Sequence, residues 1–237
     1  MEVNRFESIK EGTILLIDKP YDWTSFDVVG KLRSLIKKYI GEKSVKIGHA
    51  GTLDPLATGL LVICTGKATK RVMELTADSK EYLAKIKLGE TTPSFDLETE
   101  VDATYPFNHV NRELVEDVLL KFTGWQMQEP PAFSAKYIKG KRAYEFARKG
   151  IDPKLDPVPI EILSIDLIDF NLPFVTIKIL CSKGTYIRAL ARDIGKALST
   201  GAHLVELRRT RSGVFSIEQA LTIAEVEKKL SDLGNQN

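Results

Sequence analysis

One short stretch, Gly48-His49-Ala50-Gly51-Thr52-Leu53-Asp54-Pro55-Leu56-Ala57-Thr58-Gly59, constrains what the rest of the chain can build. Ser44 to Ile47 before it is strand-like, and the apolar run Leu60-Leu61-Val62-Ile63-Cys64 follows. The stretch is therefore expected to form a loop at the end of two strands. Gly48 and Gly51 admit backbone angles that other residues avoid, and they put no side chain in a ligand's way. Pro55 fixes its own φ and moves Asp54 out of the helical region. A lone carboxylate is thus held rigidly at a sheet edge. A Gly/Asp/Pro loop is commonly a plain turn whose Asp caps nearby N–H groups. This one also carries His49, Thr52 and Thr58 and lacks Lys and Glu, an odd make-up for a solvated turn.

The flanking chain alternates strands with short helices. Thr13 to Ile17 reads as a strand, with Lys19-Pro20 in the loop after it. Thr24 and Asp27 have capping-box spacing, and Val28, Leu32, Leu35 and Ile36 recur at helical spacing behind them. Gly66 to Arg71 opens a helix that ends near Asp78. Lys80 to Leu88 alternates, with Tyr82, Ala84, Ile86 and Leu88 on one side and Glu81, Lys85 and Lys87 on the other, as in a half-buried strand. Residues 91–109 form an acidic, turn-rich insert. Asn111 to Gly124 is a helix with Gly124 as its stop. Pro130-Pro131 starts an extended arm that leads to a short basic helix over 140–150. Two long β-rich runs, Pro157 to Phe170 and Phe174 to Cys181, come next. Gly184 marks a strand-to-helix junction that places Tyr186 and Arg188 at a sheet end. The helix dipole disfavours an arginine at a helix N-terminus, and such a conflict with a local rule favours a specific anionic partner for Arg188. Ala202 to Thr210 is a further strand, and Thr222 with Glu225 caps a final helix. Without repeat or linker, the pattern is that of one mixed α+β domain over residues 1–237.

Composition narrows the class. At 43% hydrophobic and 28% charged, the chain has the make-up of a soluble globular protein with a sizeable core. Leu60 to Cys64 is too short an apolar run to span a membrane, and the N-terminus lacks the apolar core of a signal peptide. A cytoplasmic protein is expected. Cys64 and Cys181 lie in apolar, strand-like runs and read as buried thiols, with one disulfide between them still open. Three scattered histidines, 49, 109 and 203, give no metal-ligand spacing, so no metal is expected. The net charge of +2 announces no polyanionic partner, but charge is segregated. Residues 90–117 hold eight acids against the single base Arg112. Bases gather over 31–46, 67–71, 136–149, 183–192 and 208–211, as on a protein with one anion-facing side.

The 48–59 stretch resembles the catalytic motif of the TruB family of tRNA pseudouridine synthases, Gly-His-x-Gly-Thr-Leu-Asp-Pro-x-Ala-x-Gly, at every specified position. Similar matches occur at Lys19-Pro20, Lys80-x-Tyr82, the arm through Lys136 with the basic segment after it, Gly184-Thr185-Tyr186-Ile187-Arg188 and Leu207-Arg208-Arg209-Thr210. The resemblance implies the pseudouridine synthase fold: a mixed, mostly antiparallel central sheet flanked by helices and loops, with an active-site cleft across the sheet. It implies isomerisation of uridine 55 in the T-arm loop of tRNA to pseudouridine, by base flipping and without a cofactor. Asp54 would be the catalytic carboxylate, as nucleophile or as base at the ribose C2′. Tyr82 would stack on the flipped base, Leu207 and Tyr186 would line its pocket, His49 would help extrude it, and Arg188 would pair with Asp54. Lys19 and Pro20 would support the loop, and Lys136, Lys141, Arg142 and Arg148 would contact phosphates. The expected partner is the tRNA T-arm stem-loop, met by a monomer that needs neither membrane nor metal. Many family members carry a further RNA-binding domain, and none is evident here. Two rivals stand beside this reading. A non-catalytic RNA-binding module would use the same basic face, and a hydrolase would need a second carboxylate that the matched motifs lack.

Overall fold

The computed structural model describes residues 3–41, 44–76, 78–134, 136–138, 140–151 and 153–235. In chain order, β1 (Ile14–Lys19) leads to α1 (Ser25–Ile40), β2 (Ile47–Ala50) and β3 (Ala57–Thr65). A 3-10 segment (Gly66–Arg71) and α2 (Val72–Thr76) precede β4 (Lys80–Leu88). Then come β5 (Glu90–Thr91), β6 (Ala103–Thr104), α3 (Arg112–Lys121), β7 (Gly124–Gln128), β8 (Tyr137–Ile138), β9 (Lys141–Arg142) and α4 (Ala143–Ala147). The chain finishes with β10 (Val158–Asn171), β11 (Phe174–Cys181), α5 (Ile187–Ala197), β12 (Ala202–Ser212), β13 (Phe215–Ser216) and α6 (Ile223–Gly234). Two compact units result, Met1–Tyr82 with Leu207–Asn237, and Leu83–Glu206.

The first unit is organised around β3. Along one edge β1 pairs antiparallel, from Ile14 opposite Cys64 to Lys19 opposite Gly59. The other edge takes β2 antiparallel, from Ile47 opposite Thr65 to Ala50 opposite Val62, and β12 parallel, from Leu207 opposite Ala57 to Arg209 opposite Gly59. Both faces of β3 are covered. Leu60, Val62 and Cys64 pack with Ile14, Leu16, Ala50, Leu75 and Phe215, while Leu61 and Ile63 are fully buried on the opposite face. This is why the run is apolar without alternation. Burying each aliphatic side chain contributes about 1.5–3 kcal/mol. Reciprocal capping boxes at Thr24/Asp27 and Thr222/Glu225 start α1 and α6, which pack on each other, with Val28, Leu32 and Leu35 of α1 and Val226 and Leu230 of α6 buried.

The second unit centres on β10, antiparallel to β11 on one side and to β7 on the other. Asn111 caps α3 by accepting from the Leu114 N–H, and α3 packs on β10 with Val115, Val118 and Leu119 buried. The mixed, mostly antiparallel sheet and the α+β class agree with the sequence reading. Among the described residues, no helix is long and apolar enough to cross a membrane.

Several element limits differ from those expected. Strand β2 begins at Ile47 and takes in Gly48, His49 and Ala50, because their backbones pair with Cys64, Ile63 and Val62. The catalytic-type loop is therefore only 51–56, and Gly48 is an ordinary strand residue, whereas Gly51 and Gly59 have φ of +83° and +100°. Helix α3 stops at Lys121, and Gly124 at φ +101° opens β7 instead. Lys141 and Arg142 belong to the β8–β9 hairpin and not to a helix, because the Arg142 N–H goes to the Glu145 carboxylate that caps α4 (3.1 Å). Ala135 of the proline-rich arm lies outside the described residues.

Candidate active site

Loop 51–56 is tied down through the Leu53 N–H and the carbonyls of Gly51, Leu53, Asp54 and Pro55. The Ser25 hydroxyl accepts from the Leu53 N–H (2.9 Å) and donates to the Leu53 carbonyl (3.1 Å). The Asp54 carbonyl accepts from the Ala57 N–H (3.1 Å), and the Pro55 carbonyl accepts from the Asp22 N–H (3.0 Å) and from Lys19 Nζ (3.1 Å). The Gly51 carbonyl accepts from Arg209 Nη2 (3.0 Å). Leu53 plugs the core at 3% exposure, while Asp54 beside it is half-buried. The carboxylate thus sits in a preorganised loop with one side open.

Three buried cations surround this loop, Lys19 and Lys80 from the end and the start of a strand and Arg209 from within one. Lys19, the last residue of β1, is fully buried and donates to the carbonyls of Pro20, Trp23 and Pro55. Burial lowers its pKa from the ordinary 10.5 to about 8, against the pull of Asp54, Asp27 and Asp22 and with a push from Arg209. Arg209 on β12 is 1% exposed and donates from Nε to the Leu60 carbonyl (2.7 Å) as well as to Gly51. Lys80, the first residue of β4, is 5% exposed and closes the end of α2 by donating to the carbonyls of Thr76 (2.8 Å) and Asp78 (2.6 Å). A Cβ built on Gly51 would touch both Arg209 and Lys80.

Leu207 pairs with Ala57 at the loop exit, and Tyr82 follows Lys80 on the same buried side of β4, with 8% of its surface exposed. His49 projects from β2 opposite Ile63. Burial holds the His49 pKa below its usual value, Arg209 adds to the effect, and the buried Nδ1 has no hydrogen-bond partner among the described residues. Pro20, beside Lys19, accepts from its ammonium (2.9 Å). Lys19, Pro20, His49, Asp54, Tyr82 and Leu207 all belong to the first unit.

The remaining expected residues lie in the second unit. Arg188 is no surface charge: at 4% exposure it faces the Asp96 carboxylate (3.4 Å) and donates to the carbonyls of Ser94 (3.2 Å) and Phe133 (3.0 Å). Asp96, from the acidic insert, is itself buried. The Gln128 side-chain amide clamps Tyr186, accepting from its N–H (2.8 Å) and donating to its carbonyl (3.1 Å). Lys136 donates to the Asp156 carbonyl (3.3 Å), Arg142 stacks on the Tyr137 ring at 4.0 Å, and Arg148 pairs with Glu98 (3.0 Å). Lys141 is exposed.

Sequence reasoning gave no role to Ser25, Lys80, Asp96, Gln128 or Arg209. Two of these carried a signal. Lys80 has the parity of Tyr82, Ala84 and Ile86 on a strand whose other side is polar, and Arg209 has the parity of Val205 and Leu207. A basic residue on an apolar face is buried only with partners. Asp96 and Gln128 carried none. Among the described residues, no group of three or more His, Cys, Asp and Glu side chains is placed to hold a metal ion.

Comparison with known proteins bears on this arrangement. The family model for the N-terminal domain of TruB family pseudouridylate synthases matches residues 37–187, and that for the tRNA pseudouridylate synthase B C-terminal domain matches 188–235. The tRNA pseudouridine synthase B of Phocaeicola vulgatus is 56% identical over 216 residues, covering 91% of this chain and 92% of that protein. Its namesake in Flavobacterium johnsoniae is 47% identical over 225 residues, covering 94% and 98%. Among solved structures, a Cbf5-Nop10-Gar1 complex contains a chain with TM-score 0.70 and 28% identity, covering 96% of this chain and 60% of that one. An H/ACA RNP bound to a substrate RNA containing 2′-deoxyuridine gives 0.67 and 29%, covering 94% and 54%. The present chain thus spans little more than half the length of those two. With the whole of 37–235 matched and relatives this similar over nearly their full length, the chain belongs to the TruB family of pseudouridylate synthases.

Proposed function

We propose that this pseudouridine synthase isomerises uridine 55 in the T-arm loop of tRNA, with Asp54 as the catalytic carboxylate. The observation that carries the reading is the clamped 51–56 loop, which presents one half-buried carboxylate among the backbone anchors of Ser25, Lys19 and Arg209. The names of the similar relatives support tRNA as the substrate.

The reaction breaks the C1′–N1 bond, turns the uracil and rejoins it through C5; the C5 proton leaves to solvent and the freed N1 takes one up. Product and substrate have the same atoms and electrons, so no cofactor is called for. Asp54 acts either by attacking as a nucleophile or by removing the C2′ proton, and both routes need it ionised. The uridine must first leave its stack, at a cost of a few kcal/mol. Stacking on Tyr82 offsets part of this, Leu207 supplies an apolar wall, the neutral imidazole of His49 assists extrusion without adding charge, and Tyr186 has a supporting role by family resemblance. Arg188 has a supporting role by family resemblance. Lys136, Lys141, Arg142 and Arg148 hold backbone phosphates.

Incubation with an unmodified tRNA transcript, chemical labelling of pseudouridine and primer extension test the proposal. The expected result is one new stop, at the T-loop uridine. No stop, or a stop only elsewhere, contradicts the assignment.

A further inference from the structure

From a cavity in the first unit we infer a second, non-catalytic anion site that takes a phosphodiester of the bound RNA. The cavity has a volume of about 320 Å³ and is lined by Lys10, Lys46, Lys67 and Lys70 together with Ser44, Val45, Gly66 and Thr69. Three chain segments meet there: the turn before β1, the approach to β2 and the 3-10 segment after β3. They are locked together by backbone. The Gly66 N–H donates to the Lys46 carbonyl (2.9 Å) and the Lys67 N–H to the Glu11 carbonyl (3.0 Å). Gly66 has φ +48°, and a Cβ there would lie 2.6 Å from the Lys10 carbonyl, so only glycine permits this approach. The lysine stems thus leave a rigid frame.

The lining decides the ligand chemistry. All four lysines are exposed, and Lys46, Lys67 and Lys70 have no acidic partner among the described residues. Among the described residues, Glu7 pairs with Arg5 (3.0 Å) and Glu74 with Arg71 (2.8 Å), and exposed Glu11 does not line the cavity. Among the described residues, no carboxylate lines it to hold a cation, and no aromatic ring lines it to stack a base. What remains is the ammonium groups of Lys46, Lys67 and Lys70 with the Thr69 and Ser44 hydroxyls, a set suited to phosphate oxygens. The cavity lies where β2 begins, and loop 51–56 where it ends. From Lys46 to Gly51 is five residues, about 16 Å at roughly 3.3 Å per residue. A duplex carries one charge per about 1.7 Å of axis, so an RNA arm engaged at Asp54 offers phosphates at that reach. This inference rests on the proposed tRNA substrate.

Filter binding of an unmodified tRNA transcript across a salt series tests it. Replacing Lys67 and Lys70 together by alanine is expected to weaken binding and to make the slope of log K against log[salt] shallower by about 1.4–1.8, while Lys228→Ala on α6 changes neither. Both lysines are exposed, so the melting temperature is expected to stay at the wild-type value. If the double variant does not fold, Lys46→Ala alone carries the test at half the slope change. An unchanged slope, or a change no larger than that of Lys228→Ala, overturns the site, as does a cavity that takes only free inorganic phosphate. Wild-type conversion of the same transcript is measured in parallel. If conversion proceeds while the slope is unchanged, only this inference fails; if no uridine is converted, the functional proposal fails with it.

Discussion

A fully buried lysine is costly unless its ammonium replaces every hydrogen bond it loses to water. Lys19 does so with three carbonyls, and one of them belongs to the residue after Asp54. The charge therefore serves two purposes, holding Pro55 in place and facing the carboxylate. Its proton is lost near pH 8 in the folded protein and near 10.5 in the unfolded chain. Between those values the unfolded chain binds more protons, so through this group raising the pH stabilises the fold. Lys19→Met removes the ammonium and takes the Pro20 and Trp23 carbonyls' donor away, while Pro55 keeps the Asp22 N–H. We expect the variant to be less stable by about 3 kcal/mol near neutrality. The gap to wild type should widen by on the order of 1 kcal/mol per pH unit from pH 8 towards 10.5. Urea unfolding at pH 7.5 and pH 10 measures this, and a gap independent of pH would contradict the assignment. Asp54 was legible at this scale because Pro55 and the glycines restrict the local backbone. The partners of Arg188 were not, since Asp96 lies 92 positions away and in a segment whose composition suggested solvent.

At the scale of elements, the catalytic-type loop is an outcome of how β3 is paired. It enters from β2 and leaves into β3, while β12 runs parallel to β3 at that point. Gly59 makes that pairing possible. Its φ is +100°, and a Cβ there would collide with the Arg209 carbonyl. Gly59→Ala is expected to destabilise the protein by about 3 kcal/mol or more, adding backbone strain to a separation of the two strands. Thermal melting reads this out, and a wild-type melting temperature would show that β3 and β12 are not so close. Strand β4 and the capped helices α1 and α6 follow directly from side-chain period and capping spacing, signals local to each element. The start of β2 and the placing of Lys141 and Arg142 on a hairpin do not. For β2 the pairing with β3 overrode local preference, and for Lys141 and Arg142 the short hairpin with Tyr137 and Ile138 and the Glu145 cap did.

For the molecule as a whole, divisions drawn from contacts and from family comparison fall in different places. The compact units change over at Tyr82 and Leu207, within β4 and β12, whereas the family domains divide at 187, where α5 begins. Hydrophobic pattern made the class of fold legible, but neither division, because both depend on contacts between distant segments. Each unit holds one buried cysteine, Cys64 and Cys181, and burial pushes the Cys64 thiol up to about 11. Neither thiol is expected to react with a thiol reagent at pH 8 in the folded protein, and both are expected to react in denaturant. A rapidly labelled native thiol would show that its unit is more open than described. The most direct measurement for the enzyme is single-turnover release of tritium from tRNA labelled at uracil C5, with wild type and Asp54→Asn, alongside tRNA binding by both. The expected result is a loss of at least about 10³-fold in the rate with tRNA affinity retained. Turnover near the wild-type rate in Asp54→Asn would contradict the placing of the chemistry on this carboxylate.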